Sequence, residues 1–503
     1  MDLEFFQEKY FFWDQNLNYP IKIFSQMMRI LIPTLSLLDK NVKEMISLPL
    51  KIPQKFDNFF IIGSILQIIT LILFCLFTTF AKGGSQNTKY FEGQYGVLMD
   101  VMIMIFVGFS VLFCLLPKYG WSGISFGLVI GAFVYEWSIL TNGWVNYRDV
   151  NTGSGKLHSI VVDMNLIGDG IFSACSVLIA VAGVLGRTSL QQLIMLAFFM
   201  TPAYTLNNYI LFQKIGATDT GGTIYIHCFG AFFGAAVSWI LGHDPKQKLK
   251  RRQKNDQKVF DETPNYFTNI FALMGTLFLW AYYPSFNSFG KTGDSKFRAA
   301  FNTQIGLIAA AITSIIASDS TKANKKNIMI HMQTGVLAGG VTLGCLCDHP
   351  IEPWGALLLG TLGGITCVLS IKYVTPWLEN RFKIHDTCDC MALHGICAIL
   401  SVFASCVSYQ TNMTKMYVQD SEEGGFLNEN SNFNSSKQAA LQIGGLCSTI
   451  CLGICFGLVT GIFMTVLRAE DNWYDESAKF ADDQIDCDKD LEQKGDQKIL
   501  KQG

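Results

Sequence analysis

The stretch "DTGGTIYIHCFGAFFGAAVSWILG", Asp219–Gly242, is an apolar run long enough to cross a bilayer as a helix, yet it carries a histidine, His227, close to its middle. A helix rises 1.5 Å per residue, so about 20 residues span a ~30 Å hydrocarbon core. A polar group without a partner at that depth is costly, so an ionisable side chain there points to function by default. The reading of the chain turns on what partners His227.

His394 supplies the candidate. It lies in "DTCDCMALHGICAIL" (386–400), and each histidine comes eight residues after an Asp-Thr pair: Asp219-Thr220 before His227, Asp386-Thr387 before His394. Eight helical residues carry the chain about 12 Å inward, against ~15 Å for half the hydrocarbon core. With Asp219 and Asp386 capping free N–H groups at helix N-termini near opposite interfaces, both rings are expected to meet near the midplane. Gly222, Gly230, Gly234 and, in another run, Gly335, Gly339 and Gly344 supply the small residues of close helix packing, which leaves room for only a narrow pore.

Working outward, twelve apolar runs fall at about 56–80, 98–117, 121–141, 158–186, 190–213, 222–242, 266–284, 298–318, 328–346, 354–374, 388–409 and 441–467. The predicted fold is therefore an all-α polytopic membrane protein of about twelve helices. The two histidine segments are five spans apart, so they cross in opposite directions. That predicts a five-plus-five inverted repeat, about 98–242 against 266–409. A channel domain of 56–467 then lies between an N-terminal segment, 1–55, and a polar C-terminal tail, 468–503. The loop "HDPKQKLKRRQKNDQK" (243–258) is densely basic and "DSTKANKKN" (319–327) and "ENRFKIHD" (379–386) follow suit, placing these loops and both termini in the cytoplasm, with the plasma membrane as the expected location. The loop after the eleventh span should then face outward, and it carries two candidate N-glycosylation sequons, at Asn412 and Asn434.

Composition agrees. Half of the 503 residues are hydrophobic and only 16% charged, too apolar for an ordinary soluble protein. A formal net charge of -2 offers no basic field for nucleic acid. Most of the 15 cysteines lie within apolar runs, where a thiol acts as a small hydrophobe rather than part of a disulfide framework. The N-terminal segment lacks the pattern of a secretory signal.

Two touching histidines in low dielectric cannot both be protonated. Two neutral rings sharing a proton present alternating donors and acceptors, which suits a small hydrogen-bonding neutral molecule better than a bare cation that would have to dehydrate. Ammonia, interchangeable with ammonium at either mouth, fits.

At these residues the chain resembles the ammonium transporter and Rhesus glycoprotein superfamily, closer to its Rhesus branch. The resemblance spans about 90–400 and rests on "MIFVGFSVLFCLLPKYGWSGISF", "GATDTGGTIYIHCFGAFFG", "MGTLFLWAYYPSFNS", "HMQTGVLAGGV" and "IHDTCDCMALHG". It implies a homotrimer in the lipid bilayer with one pore per subunit and ammonia conduction past a histidine pair matching His227 and His394. By the same likeness Phe133 and Phe286 match phenylalanines that gate the outer pore mouth, and Asp219 matches a buried aspartate near the ammonium recruitment site. Asn287 and Asn208 take places in the outer vestibule. Where relatives often carry an acid, Asn208 stands here; "LHGICA" lacks the usual Pro-Gly, and "QTGVLAGG" replaces Gln-Asn-Ala-Thr.

The leading expectation is a passive ammonia channel with net electroneutral ammonium/proton exchange and no cofactor. Carbon dioxide is the rival cargo, and an ammonium sensor or scaffold with a non-conducting pore is the rival of another class. His385, Cys388, Cys390 and His394 form a transition-metal ligand set by type but lack the paired spacing of a zinc site. No nucleophile or acid–base pair of an enzyme stands out.

Overall fold

The computed structural model describes residues 58–80, 88–117, 119–145, 160–243, 264–321, 325–411 and 434–466. The N-terminal segment, the C-terminal tail, the basic loop 244–263 and the sequon residue Asn412 lie outside the described residues. The chain divides into a segment Met1–Ile65, described only from residue 58 and helical there, and a unit Leu66–Gly503.

Among the described residues, twelve helical rods stand where the twelve apolar runs predict them. They are α1 (Asn58–Phe77), α2 (Thr88–Met102, running on through Ile103–Gly108 and Phe109–Leu112), α3 (Gly120–Val145), α4 (Met164–Val184), α5 (Leu190–Tyr209) and α6 (Thr223–Cys228 continued by Phe229–His243). Then follow α7 (Tyr266–Ser288), α8 (Gly293–Ser320), α9 (Lys325–Gly335, then Ala338–Leu343), α10 (Pro353–Leu369, extended by Ser370–Val374 and Thr375–Phe382), α11 (Met391–Ile396 continued by Cys397–Gln410) and α12 (Ser435–Val466). Among the described residues nine of these are both long and apolar enough to cross a membrane; α5 and α7 have the length but are less apolar, and the described apolar run of α1, Gly63–Phe77, is short. Among the described residues one feature departs from an all-α fold: Thr78–Phe80 pairs in parallel with Ile160–Val162, so the fourth run is a strand at Ile160–Val162 and its helix begins only at Met164.

Caps mark the helix starts. Asp163 accepts from the Leu166 amide at 2.8 Å at the head of α4, Ser189 and Gln192 form a reciprocal capping box on α5, and exposed Asn434 caps α12 by accepting from the Lys437 amide at 3.0 Å. Each satisfies amides that have no partner inside the helix. The helix α4 is buried along nearly its whole length, so it forms the staff against which α3 and α6 pack.

Backbones come closest where glycines face one another. A Cβ on Gly339 of α9 or on Gly360 of α10 would collide with the Gly306 backbone carbonyl of α8. Three helices thus meet at one point with no side chain between them, the close approach that small residues permit.

Candidate functional site: a histidine pair at the end of an internal cavity

Each histidine arrives in a π-helical turn, the wide local winding that recurs at functional sites. In α6 the turn is Thr223–Cys228, entered through Gly222 at φ 69°, a left-handed backbone that suits glycine. The Gly222 carbonyl accepts from both the Ile226 and His227 amides at 3.0 Å. Asp219 caps the turn: its carboxylate accepts from the Thr223, Ile224 and Tyr225 amides at 2.8, 2.6 and 3.0 Å. In α11 the turn is Met391–Ile396, and Asp386 accepts from the Met391 amide at 2.7 Å. Both aspartates thus hold amide groups at the head of the turn that carries the histidine eight residues on.

Each capping loop is clamped by a buried polar side chain. Gln442 of α12 donates to the Thr218 carbonyl at 2.7 Å and accepts from the Thr218 amide at 2.8 Å, just before Asp219. Arg187, between α4 and α5, donates to the His385 carbonyl at 3.1 Å and to Ser238 at 2.8 Å, just before Asp386.

So positioned, the two rings meet. His227 Nδ1 lies 3.0 Å from His394 Nδ1, with the ring planes 10° apart and the centroids separated by 5.0 Å; near-parallel rings therefore touch edge to edge through their nitrogens. Tyr283 Oη of α7 lies 3.1 Å from His227 Nε2. Neutral imidazole has one donor and one acceptor nitrogen, so the chain Tyr283–His227–His394 is satisfied with its protons running in either direction. Both histidines are buried.

On one side of the pair aromatic rings fill the space. Phe286, one turn beyond Tyr283 on α7, packs its ring 5.7 Å from His227 and 5.0 Å from Phe172 of α4, at 74° to the latter. The expected partner of Phe286 is Phe133, but among the described residues these two rings do not pair. Phe133 is buried on α3, and α3 meets α4 through Tyr135 against Gly170, so it is α4 that brings a ring to Phe286.

On the other side lies a cavity of about 120 Å³. His227, His394 and Tyr283 line it, and so do Gln333, Pro264 just before α7 and Asp389 just before α11. Its wall includes the break in α9 between Gly335 and Ala338; just before it the Gln333 backbone carbonyl accepts from Thr276 Oγ1 at 3.1 Å and the Gln333 side chain donates through Nε2 to the Asn269 carbonyl at 3.1 Å. Irregular backbone at membrane depth is tolerated where it borders a cavity.

The remaining expected residues divide. Asn287 is fully buried and braces three helices, donating to Thr303 at 2.9 Å and to the Gly340 carbonyl at 3.1 Å; it does not line the cavity. Asn208 is half-buried on α5. His385 Nδ1 lies 3.0 Å from Glu379, apart from His394, and among the described residues no group of three His, Cys, Asp or Glu side chains is placed to hold a metal ion. The reading of the sequence passed over Tyr283, Phe172 and Asp389. Tyr283 was within reach of it, since it lies three positions before Phe286 and so on the same helix face.

Fold and site together define a polytopic helical membrane protein with a narrow cavity lined by a buried histidine pair. Residues 60–482 match the Ammonium Transporter Family. Ammonium transporter Rh type C of Bos taurus is 35% identical over 75% of this chain and 79% of its own length, and that of Homo sapiens is 33% identical over 80% and 84%. Among solved structures, Nitrosomonas europaea Rh50 superposes with a TM-score of 0.65 at 23% identity, covering 82% of this chain and 100% of that one. Saccharomyces cerevisiae Mep2 superposes with a TM-score of 0.57 at 16% identity over 76% and 87%. The chain belongs to the ammonium transporter family, in its Rhesus branch.

Proposed function

We propose that the protein conducts ammonia across a membrane through the path marked by the His227–His394 pair. The observation that carries this is the 3.0 Å contact between two buried imidazoles that line a cavity. A neutral ring pair offers a donor and an acceptor to a small polar molecule and no carboxylate to a cation. Phe172 and Phe286 form an apolar plug that disfavours hydrated ions, taking the place expected of Phe133 with Phe286. In this reading ammonium sheds a proton at one mouth and regains it at the other, so net transport is electroneutral. A five-plus-five inverted repeat and assembly as a homotrimer belong to the same reading, as do cytoplasmic termini.

The test uses the purified full chain in liposomes loaded with a pH-reporting dye. An imposed ammonium gradient should shift internal pH faster than in empty liposomes, and His227→Ala or His394→Ala should lower that rate about tenfold or admit ions. Equal rates with and without protein would sink the proposal. Carbon dioxide and methylammonium run in parallel show which cargo is preferred.

A further inference from the structure

Most residues that line the cavity are apolar, yet a carboxylate lines it too. Asp389 sits in the loop between α10 and α11 with φ at 54°, a left-handed conformation uncommon for a side-chain-bearing residue. Its carbonyl accepts from the Ala392 and Leu393 amides at 3.1 Å, so this residue starts the turn that carries His394. Its side chain is half-buried, lines the same cavity as His394 and accepts from Thr375 Oγ1 at 3.0 Å through Oδ1. The backbone conformation does not call for an acid here: glycine or asparagine adopts it at least as readily.

Resting on the ammonia-channel reading, we infer that Asp389 is the proton-exchange group on the α10–α11 loop side of the histidine pair, giving a proton to ammonia that leaves the pair and, in its carboxylate form, taking one from ammonium that approaches it. In the exit step the carboxylic O–H bond breaks and the ammonia lone pair forms a new N–H bond, leaving ammonium and carboxylate; a buffer acid or hydronium then reprotonates the carboxylate. Ammonium is a weaker acid than a carboxylic acid, so the transfer runs downhill.

The surroundings keep the group protonated at neutral pH. Burial, and then the charge of Asp386, push the Asp389 carboxyl up to about 8. Asp386, Cys388 and Cys390 on its own segment and Cys367 of α10 are the titratable groups within electrostatic reach. Across the cavity His394 and the uncharged Gln333, Thr334, Leu116 and Pro264 face the same space. Because the pKa is raised, donation to departing ammonia is available below about pH 8 and is lost as pH rises through that value.

The test compares wild type, Asp389→Asn and Asp389→Gly in liposomes at low buffer concentration, with ammonium gradients imposed at a series of pH values. Both variants keep the left-handed turn and lose the acid. The expected result is an inflection near the raised pKa in wild type and its absence in both variants. Their flux at neutral pH should fall about tenfold, less than the ~10²-fold or more of an obligatory acid or base because water and buffer share the work. A high concentration of a small buffer should restore it, which a merely structural role would not do. Wild-type flux and pH profile in both variants overturn the inference while leaving the channel intact, as does a loss of flux that buffer fails to restore. A wild-type protein that conducts nothing overturns the channel reading itself.

Discussion

His227 is held by three things at once: the π-helical turn that Asp219 caps, the ring of His394 and the hydroxyl of Tyr283. Each satisfies a polar group that would otherwise be unpaired in a buried site, a cost of about 1–3 kcal/mol per group. Around that pair the aromatic rings are not equivalent. Phe172 touches Phe286, and Phe286 in turn touches His227, whereas Phe133 is buried on α3 and makes no ring contact with Phe286 among the described residues. Phe172→Ala should therefore open the plug, raising leak of hydrated ions in a liposome conductance assay, while Phe133→Ala should leave ion leak within about twofold of wild type. A leak caused by Phe133→Ala alone would restore the expected pairing and remove Phe172 from the plug.

At the scale of elements, the site is a product of where helices approach and where they break. The crossing at Gly306 lets α8, α9 and α10 touch backbone to backbone, and α9 breaks just before that crossing, where it borders the cavity. A methyl at Gly339 would press on backbone that cannot move aside, whereas one at Gly306 would press on the flexible end of Leu343. Gly339→Ala should therefore lower thermal stability in detergent by an amount in the overpacking range of about 1–3 kcal/mol, and Gly306→Ala by clearly less. Equal melting shifts would mean that α9 and α10 can slide, and that the crossing does not set the cavity wall.

At the scale of the whole molecule, the arrangement predicts transport without net charge. A unit charge crossing a membrane field is biased by about 2.3 kcal/mol per 100 mV, so an electrogenic path would respond steeply to voltage. Ammonium-driven internal pH change should keep its initial rate when the liposome potential is clamped at 0 or 100 mV with potassium and valinomycin. A rate that follows the imposed potential would show that ammonium itself, not ammonia, passes the histidines.

Much of this was legible in the residues. Twelve apolar runs of the right length mark twelve rods, because the backbone in a bilayer must satisfy its own hydrogen bonds and a helix does so locally. The Asp-Thr-x₆-His spacing, repeated at 219–227 and 386–394, marked the two rings as a pair because helical rise converts a count of residues into depth. The partner of Phe286 was not legible, since with 39 phenylalanines nothing along the chain says which two rings will touch. Nor was the part of Asp389, whose neighbours come from α10 and from across the cavity. Depth along a helix is a property of the chain alone; which faces meet across helices depends on how glycine contacts, caps and the break in α9 set the packing, and that only the tertiary structure decides.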